Sequence, residues 1–389
     1  MTNDPSAGSE SGAIERDRLT VLIYGAAVAF GFTVAALGPA MPLLREDLGI
    51  GRTVGGLHFT VLALGAVVAG LLVQRGVRAR GRRSVFWRGI AGLAAGALLI
   101  GGGWTPAITL TGALVAGVFG ASALIMSQAA MSDHHPQQRA VALTEMNIAM
   151  SLGSVVPALL IAALVAAGAG WRPALLAPVA LVIVMAATRR REQFPVSQQT
   201  SQPGRAHQLP GPYWVYWAAF IPSVGSEWCI GAWGAGYLVD VAETSEAAAS
   251  LLMTAFFGAM VVGRFIGGRV ARTVAALPLL LGTTAIAFTG FMLFWGSNAV
   301  PPVVAGLLIV GLGISMQYPM ILTLAIETAP QLVDSATART SIAAGGSVVV
   351  APLTLGFVAD QVGIRAAFGI VPGLLVLVAV LALLGRRAS

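Results

Sequence analysis

The sequence has no lysine, a single cysteine (Cys229) and only 10% charged residues. One cysteine excludes an internal disulfide bond and a metal site built from cysteines. The absence of lysine excludes a glycine-rich phosphate loop that ends in lysine, and no His, Cys or Glu residues have the spacing of metal ligands. These absences predict a protein that is not an enzyme, uses no metal or cofactor and does not take its energy from ATP.

The low charge also separates the chain from ordinary soluble domains, which carry about 25% charged residues. Instead, 57% of the residues are hydrophobic and the mean hydropathy is +0.83. Apolar runs recur from Leu19 onward, and about 20 apolar residues suffice to cross the ~30 Å hydrocarbon core of a bilayer. Twelve membrane spans are predicted, near residues 19–44, 53–74, 84–103, 106–130, 140–167, 171–188, 212–239, 247–268, 275–295, 300–324, 339–359 and 364–385.

All basic residues are arginines, and their positions predict how the spans are oriented. Both tails and the connections after odd-numbered spans carry most of them, whereas the opposite side carries only Arg45, Arg52, Arg172 and Arg365. The positive-inside rule therefore places both termini and the central loop in the cytoplasm. The net charge of +7 is thus expected to reflect topology in the cytoplasmic membrane, with the lipid bilayer as partner and no nucleic-acid binding.

The longest polar interruption, residues 188–212, divides the spans into six and six, and the two halves resemble each other. GAVVAG at 65–70 matches GAMVVG at 258–263, and GVFGAS at 117–122 aligns with GLGIS at 311–315 at a similar offset. Parallel six-helix repeats with a cavity between them are one architecture of secondary transporters. The predicted fold is an all-α polytopic membrane protein in which twelve transmembrane helices form two pseudo-symmetric six-helix bundles.

This organisation predicts five segments along the chain. They are a disordered cytoplasmic tail at 1–18, an N-terminal bundle at 19–188, a cytoplasmic linker at 189–211, a C-terminal bundle at 212–385 and a cytoplasmic tail at 386–389.

The loop after the second span reads Gln74-Arg75-Gly76 and, further on, Gly81-Arg82-Arg83. This pattern resembles the conserved cytoplasmic motif of the major facilitator superfamily, in which an aspartate normally stands where Gln74 stands here. We expect these residues to act as a cytoplasmic gate or as topology determinants. The stretches GSEWCIGAWGAGYLVD at 225–240 and FFGAMVVGRFIGGR at 256–269 resemble the fucose-permease-like branch of that superfamily. The resemblance implies that spans one, four, seven and ten surround a central cavity.

Glu227 is the first predicted proton-coupling residue. It lies about 22 Å into the seventh span at a rise of ~1.5 Å per residue, and Ser223, Gly231 and Gly234 share its helical face. An ionisable group at this depth costs roughly 2.5–3.5 kcal/mol to insert and is a functional hypothesis by default. The alternative is a structural carboxyl that is kept protonated or hydrogen-bonded to a neighbouring helix.

The fifth span carries Glu145 near its cytoplasmic end and a polar stripe of Asn147, Ser151 and Ser154 on a different face. We expect the stripe to face the transport pathway. We expect Glu145, a further proton-coupling candidate, to take part in a cytoplasmic gate, paired with Arg139 or an arginine of another loop. The alternative for the stripe is hydrogen bonding between helices, worth about 0.6 kcal/mol per bond.

Other residues within the spans are candidates for the same pathway. His58 in the second span is a third site for proton handling because the unperturbed pKa of histidine is about 6.5, and a packed histidine is the alternative. Arg264 is predicted to extend its side chain to the membrane surface. The remaining cavity candidates are polar or aromatic: Ser223, Trp228, Trp233, Tyr237, Gln128, Gln317 and Tyr318.

These features predict a monomeric secondary active transporter that takes up a small organic solute by alternating access, driven by an ion gradient, with protons the expected ion. One alternative is export of a drug or metabolite by proton antiport. The absence of arginine from LTGALVAGVFG at 110–120 in the fourth span counts against it, because such exporters in the superfamily usually carry one there. Another alternative is a non-transporting membrane receptor or scaffold, which the absence of a sizeable soluble domain disfavours.

Overall fold

The computed structural model describes residues 16–136, 138–195, 209–329 and 333–388. Residues 1–15 of the predicted tail, most of the predicted linker (196–208) and Ser389 of the predicted C-terminal tail lie outside the described residues. The described chain is built from α-helices and one short 3-10 turn at Arg172–Leu175, with no strand.

The helices follow one another in the order α1 Arg18–Leu48, α2 Arg52–Gly102, α3 Pro106–His134, α4 Arg139–Ala166, α5 Leu176–Arg189, α6 Gly211–Val241, α7 Glu246–Val270, α8 Ala276–Gly296, α9 Val300–Ile314, α10 Gln317–Glu327, α11 Val333–Val362, α12 Ile364–Ala367 and α13 Ile370–Ala388. Helices α4, α6, α7 and α11 correspond to the fifth, seventh, eighth and eleventh predicted spans.

Ten helical segments of the described chain are long and apolar enough to cross a membrane. One of them is α2, whose 51 residues contain two predicted spans separated at Gly81, where φ is 76° and ψ is 159°. Helix α6 is the remaining crossing, because its 31 residues exceed the length that a bilayer requires. Its Trp, Tyr, Gly and Pro residues lower its hydropathy below that of the other spans. The prediction of twelve transmembrane helices in an all-α membrane fold is confirmed.

The two halves of the chain meet through matching helices. Helix α2 packs against α11, α4 against α7, and α1 against α6. Each pair joins a span of the first half to one of the second half, which gives the boundary between the halves an approximate two-fold symmetry. A cavity at this boundary is therefore lined by helices from both halves.

The halves close against each other at the end predicted to face outside, which we call the outer end. Ser250 donates a hydrogen bond to the Pro39 carbonyl at 3.0 Å, and Thr60 donates to the Val349 carbonyl at 2.7 Å. Helices α1 and α6 approach closely at the same level, because a methyl group placed on Gly38 would overlap the carbonyl oxygen of Gly231. Within the described residues, the hydrogen bonds between the halves lie in the outer half of the molecule, except for the bond between Arg264 and Ser151.

Candidate functional site

A cavity of about 240 Å³, which we call the central cavity, lies between the two halves below the closed outer end. Its wall is mainly aromatic and aliphatic, with ring side chains from α1, α2, α6 and α7: Phe30, Phe59, Trp228, Phe256 and Phe257. Four polar side chains interrupt this wall, namely Ser151, Ser154, Glu227 and Arg264. An apolar wall with a few convergent polar groups is the usual composition of a small-molecule site.

Glu227 lies at the middle of α6 and reaches the central cavity. Its carboxylate makes no hydrogen bond and no ion pair with the described residues. Two side chains of other helices are within electrostatic reach, Arg264 of α7 and Tyr318 of α10. Gly231, one turn further along α6, also lines the cavity, and its missing side chain leaves space beside the carboxylate.

Arg264 connects the two halves beside the cavity. Its Nη1 donates a hydrogen bond to Ser151 Oγ at 2.9 Å, and Ser151 Oγ donates to the Asn147 carbonyl at 2.9 Å. The prediction that Arg264 extends to the membrane surface is wrong, because its side chain points into the boundary between the halves. The sequence could not reveal this, since a long side chain at that depth can reach either water or a neighbouring helix.

The predicted polar stripe of α4 is divided in the structure. Ser151 and Ser154 line the central cavity, whereas Asn147 is exposed and does not reach it. Ser154 Oγ donates to the Met150 carbonyl at 3.0 Å, so its hydroxyl hydrogen is engaged within the helix while its oxygen can still accept.

Three predicted cavity residues are packed elsewhere in the second half. Trp233 is buried at the outer end, where its Nε1 donates to the Pro352 carbonyl at 2.8 Å. Tyr237 is buried among aromatic rings and donates to the Trp295 carbonyl at 2.9 Å. Gln317 is buried and its Nε2 donates to Thr284 Oγ1 at 3.3 Å. Their N–H and O–H donors bond to backbone carbonyls or a side chain within the second half, as is common for polar residues that join helices.

Other predicted residues also lie away from the cavity wall. Ser223 is buried in α6, Gln128 is exposed on α3, and Tyr318 packs edge-on against Phe220. Of the predicted cavity residues, Trp228, Ser151 and Ser154 are therefore the ones that the structure brings together with Glu227.

His58 is buried inside the first half rather than at the boundary. Its Nε2 lies 2.9 Å from Thr109 Oγ1, and its Nδ1 lies 3.1 Å from the Val54 carbonyl oxygen. Both ring nitrogens thus have partners within α2 and α3, and the ring does not line the cavity.

Glu145 is held by the start of the first half. Arg16 Nη2 and Nε donate to its two carboxylate oxygens at 2.8 and 3.2 Å, and the Tyr24 hydroxyl donates at 2.5 Å. Hydrogen bonding to Glu145 raises the pKa of Arg16 above its ordinary value. The side chain of the expected partner Arg139 lies outside the described residues. Because these partners belong to one half, Glu145 does not bridge the halves through them in this state.

The arginines after the second span also bind within the first half and its linker. Arg82 Nη1 donates to Asp133 Oδ2 at 2.5 Å and to the Pro195 carbonyl at 3.2 Å, and Arg83 donates to the Arg190 carbonyl. Gln74 and Arg75 are exposed. Asp133, at the end of α3, therefore supplies the carboxylate that pairs with Arg82.

A charged cluster at the outer end was not predicted from the sequence. Asp360 of α11 accepts hydrogen bonds from the backbone N–H groups of Arg52 and Thr53 at 2.9 and 2.7 Å, and from Thr53 Oγ1 at 2.6 Å. Helix α2 begins after Gly51, which has no side chain to cap it, so a residue of the other half caps this helix. Arg52 also forms an ion pair with Asp240.

The sequence feature that could have revealed this cluster is the position of its charged residues near helix ends. A basic residue at the first position of a helix and an acidic residue near a helix end are both disfavoured by their own helix dipoles. Arg52 and Asp360 occupy such positions, which indicates partners outside their own helices.

The chain was compared with known proteins. Residues 23–331 and 213–389 match the sequence profile of the Major Facilitator Superfamily. An MFS-type transporter of Yersinia pestis is 24% identical over 358 residues, which cover 90% of this chain and 91% of that protein. A glucose/galactose transporter of Brucella abortus is 27% identical over 191 residues, which cover 45% of this chain and 44% of that protein.

Solved structures give the same fold. A bacterial homologue of the human lysosomal transporter Spinster, in an inward-facing and occupied conformation, superposes with a TM-score of 0.77 at 14% identity and covers 97% of this chain and 98% of its own. The nucleoside transporter NupG superposes with a TM-score of 0.78 at 14% identity, over 95% and 98% of the two chains.

The profile match extends over both halves, and the relatives are transporters rather than enzymes. The protein is therefore a secondary transporter, a multi-pass membrane protein that belongs to the Major Facilitator Superfamily.

Proposed function

We propose that the protein takes up a small organic solute together with protons, and that Glu227 carries the proton. The observation that carries this proposal is the carboxyl group itself, at the middle of a membrane-spanning helix, in contact with the central cavity and without a hydrogen bond from the described residues. A charge at this depth costs roughly 2.5–3.5 kcal/mol on insertion scales. Proton binding removes that cost, so the protonation of Glu227 is naturally linked to the state of the cavity.

The transport cycle that we propose is alternating access by rocking of the two halves. Hydrogen bonds at the outer end hold the halves together, and the central cavity lies on the inner side of these bonds. We assign this arrangement to the inward-facing state, with both termini in the cytoplasm according to the arginine distribution. In the outward-facing state the contacts of Asp360 and Ser250 are expected to separate.

Two features support a small organic solute. The cavity is enclosed by aromatic and aliphatic side chains with few polar groups, which suits a solute with an apolar part. The relative from Brucella abortus is named a glucose/galactose transporter, and a neighbour in structure is named a nucleoside transporter. Both names describe small organic solutes.

The test is accumulation by purified protein in proteoliposomes under an imposed pH gradient, acidic outside. The panel of labelled solutes contains D-galactose, uridine and phenylmethanesulfonate. We expect the native protein to accumulate a member of the panel, and Glu227→Gln to abolish gradient-driven accumulation while it retains exchange of labelled for unlabelled solute. Glu243→Gln makes the same charge change in an exposed loop and should behave as the native protein.

Accumulation that survives in Glu227→Gln would show that another group carries the proton. Export by proton antiport is the competing function, since an amphipathic cavity also suits drugs and metabolites. The same vesicles distinguish the two, because antiport moves solute toward the acidic side and symport moves it toward the alkaline side.

A further inference from the structure

We propose that the central cavity binds an amphipathic organic anion, with the carboxylate of the solute held by Arg264 while Glu227 is protonated. This inference rests on the proposed proton site at Glu227 and names the class of solute that would accompany the proton. It differs from the sugar named for the Brucella relative, and it follows from the charges and the free donors of the cavity.

The charge of the cavity depends on one proton. Glu227 and Arg264 are the formally charged side chains among the residues that line it. The groups that face Glu227 from other helices are Arg264 of α7 and Tyr318 of α10, and a tyrosine is neutral near pH 7. With Glu227 ionised the two charges cancel, and with Glu227 protonated the cavity carries the single positive charge of Arg264. Proton loading therefore creates a site that attracts an anion.

Arg264 has the free donors that such a site needs. Its Nη1 donates to Ser151 Oγ, and its other guanidinium N–H groups have no partner within the described part of the chain. A guanidinium offers five N–H donors in a planar fork that matches a carboxylate in a bidentate geometry. The indole N–H of Trp228 also lacks a partner among the described residues and lines the same cavity. A carboxylate with an apolar body can accept from these donors.

The rest of the wall fits an apolar body better than a sugar. Phe30, Phe59, Phe256 and Phe257 provide ring surfaces, and Met150 and Met260 add flexible apolar side chains. Every hydroxyl group of a sugar that is buried without a partner is unfavourable. Among the residues that the structure describes, only four polar side chains and the Trp228 indole line this cavity as partners, which favours a solute with one charged end and an apolar remainder.

The test is binding to the full-length protein in detergent, measured by isothermal titration calorimetry. The probes are phenylacetate, its neutral isostere phenylacetamide, the cation benzylammonium and D-galactose. We expect phenylacetate to bind at least about tenfold more tightly than phenylacetamide, because it gains a charge-assisted bond to Arg264. Binding should take up protons, which makes the measured heat depend on the ionisation enthalpy of the buffer.

Three variants separate the roles of the two charges. Arg264→Gln should remove the preference for phenylacetate. Arg269→Gln, the same change five residues further along the same helix and away from the cavity wall, should retain it. Glu227→Gln mimics the protonated form, so it should bind phenylacetate without proton uptake. Equal affinity for phenylacetate and phenylacetamide, or a preference that persists in Arg264→Gln, would overturn the inference. Failure of phenylacetate and its longer homologues to bind would overturn it as well.

Flux separates this inference from the proposed function. Phenylmethanesulfonate stays ionised and cannot cross the bilayer unaided, so its movement reports on the protein. Binding of phenylmethanesulfonate itself that depends on Arg264, without pH-driven flux of this sulfonate, would keep the solute class and reject proton-coupled uptake. Gradient-driven accumulation of D-galactose, with no binding of the carboxylates, would keep proton-coupled uptake and reject the anion.

Discussion

The outer charged cluster and the central cavity differ in how completely their polar groups are paired. Asp360 accepts three hydrogen bonds from the start of α2, whereas Glu227 accepts none from the described residues. An unpaired polar group away from water is costly. The difference indicates that the Asp360 carboxylate is satisfied by protein donors in this state, while the Glu227 carboxylate has no protein donor among the described residues.

Gly38→Ala is expected to have the largest effect on closure of the outer end. The added methyl group would overlap the Gly231 carbonyl, where α1 and α6 meet in the wall of the cavity. Overpacking of this kind costs about 1–3 kcal/mol, and the cost applies only when the outer end is closed. We expect the protein to favour the outward-facing state and the transport rate to fall by about tenfold or more.

The control for this prediction is Gly282→Ala, since a methyl group on that residue of α8 meets no neighbouring atom. Access of the outer end is measured by labelling a cysteine introduced there, because the native Cys229 is buried. Equal labelling and transport in the two variants would show that the close approach of α1 and α6 does not limit closure.

Asp360→Ala is expected to have the next largest effect. It removes the cap of α2, and the loss of a helix N-cap costs about 0.5–2 kcal/mol. Hydrogen–deuterium exchange should rise at Arg52 and Thr53, whose amides lose their acceptor. Asp360→Asn keeps one acceptor oxygen and should give an intermediate rise. Unchanged exchange in Asp360→Ala would show that water caps the helix equally well.

The fold and part of the cavity follow from the sequence for physical reasons. Long apolar runs predict membrane crossings because the bilayer sets a required length. Glu227 and the serine pair were found because polar residues inside such runs are conspicuous, and helical periodicity groups Ser151 with Ser154. The structure alone places His58 in the interior of one half, because a hydrophobic pattern does not tell which neighbouring helix a residue faces.

The outer cluster shows another limit of prediction from sequence, namely pairing between residues that are far apart in the chain. Asp360 lies more than 300 residues from the helix that it caps. No local sequence pattern contains such a pairing. The unfavourable position of both charges on their own helices indicates only that each has a partner elsewhere. Arg264 is similar, because its partner Ser151 belongs to the other half.

Arg52→Gln should have a smaller effect than removal of the cap. Its ion pair with Asp240 is partly exposed to solvent, and such pairs contribute about 0.2–1 kcal/mol. We expect a modest increase in labelling of the outer end at low salt, which disappears at high ionic strength because salt screens the pair. A salt-independent increase would show that packing of the arginine, and not its charge, matters.

The smallest effect on closure of the outer end is expected from a change at the opposite end, at Asp17 before α1. Burial alone would raise its pKa, but hydrogen bonds from Thr20 and His134 outweigh this and lower it. A lowered pKa means that the carboxylate stabilises the fold above the unfolded pKa of about 3.9 and that this contribution is lost as the pH falls through the folded pKa.

Asp17→Asn keeps an acceptor for the helix but removes the charge, so we expect it to destabilise the protein by about 0.3–1 kcal/mol at neutral pH. The thermal midpoint of the variant should converge with that of the native protein under acidic conditions. Glu192→Gln, in the segment that follows α5, serves as control. A difference that persists at acidic pH would assign the effect to geometry.

The capping of α2 by the opposite half has a consequence for the energy balance of the cycle. When the halves separate at the outer end, water can replace the lost bonds, both at the freed amides at the start of α2 and at the Asp360 carboxylate, which already lies at the surface. Exchange of protein partners for water changes the free energy by little. In the proposed cycle, a closure made of such bonds would leave the two states nearly equal in stability, so that the binding energy of a solute would be enough to move the protein between them.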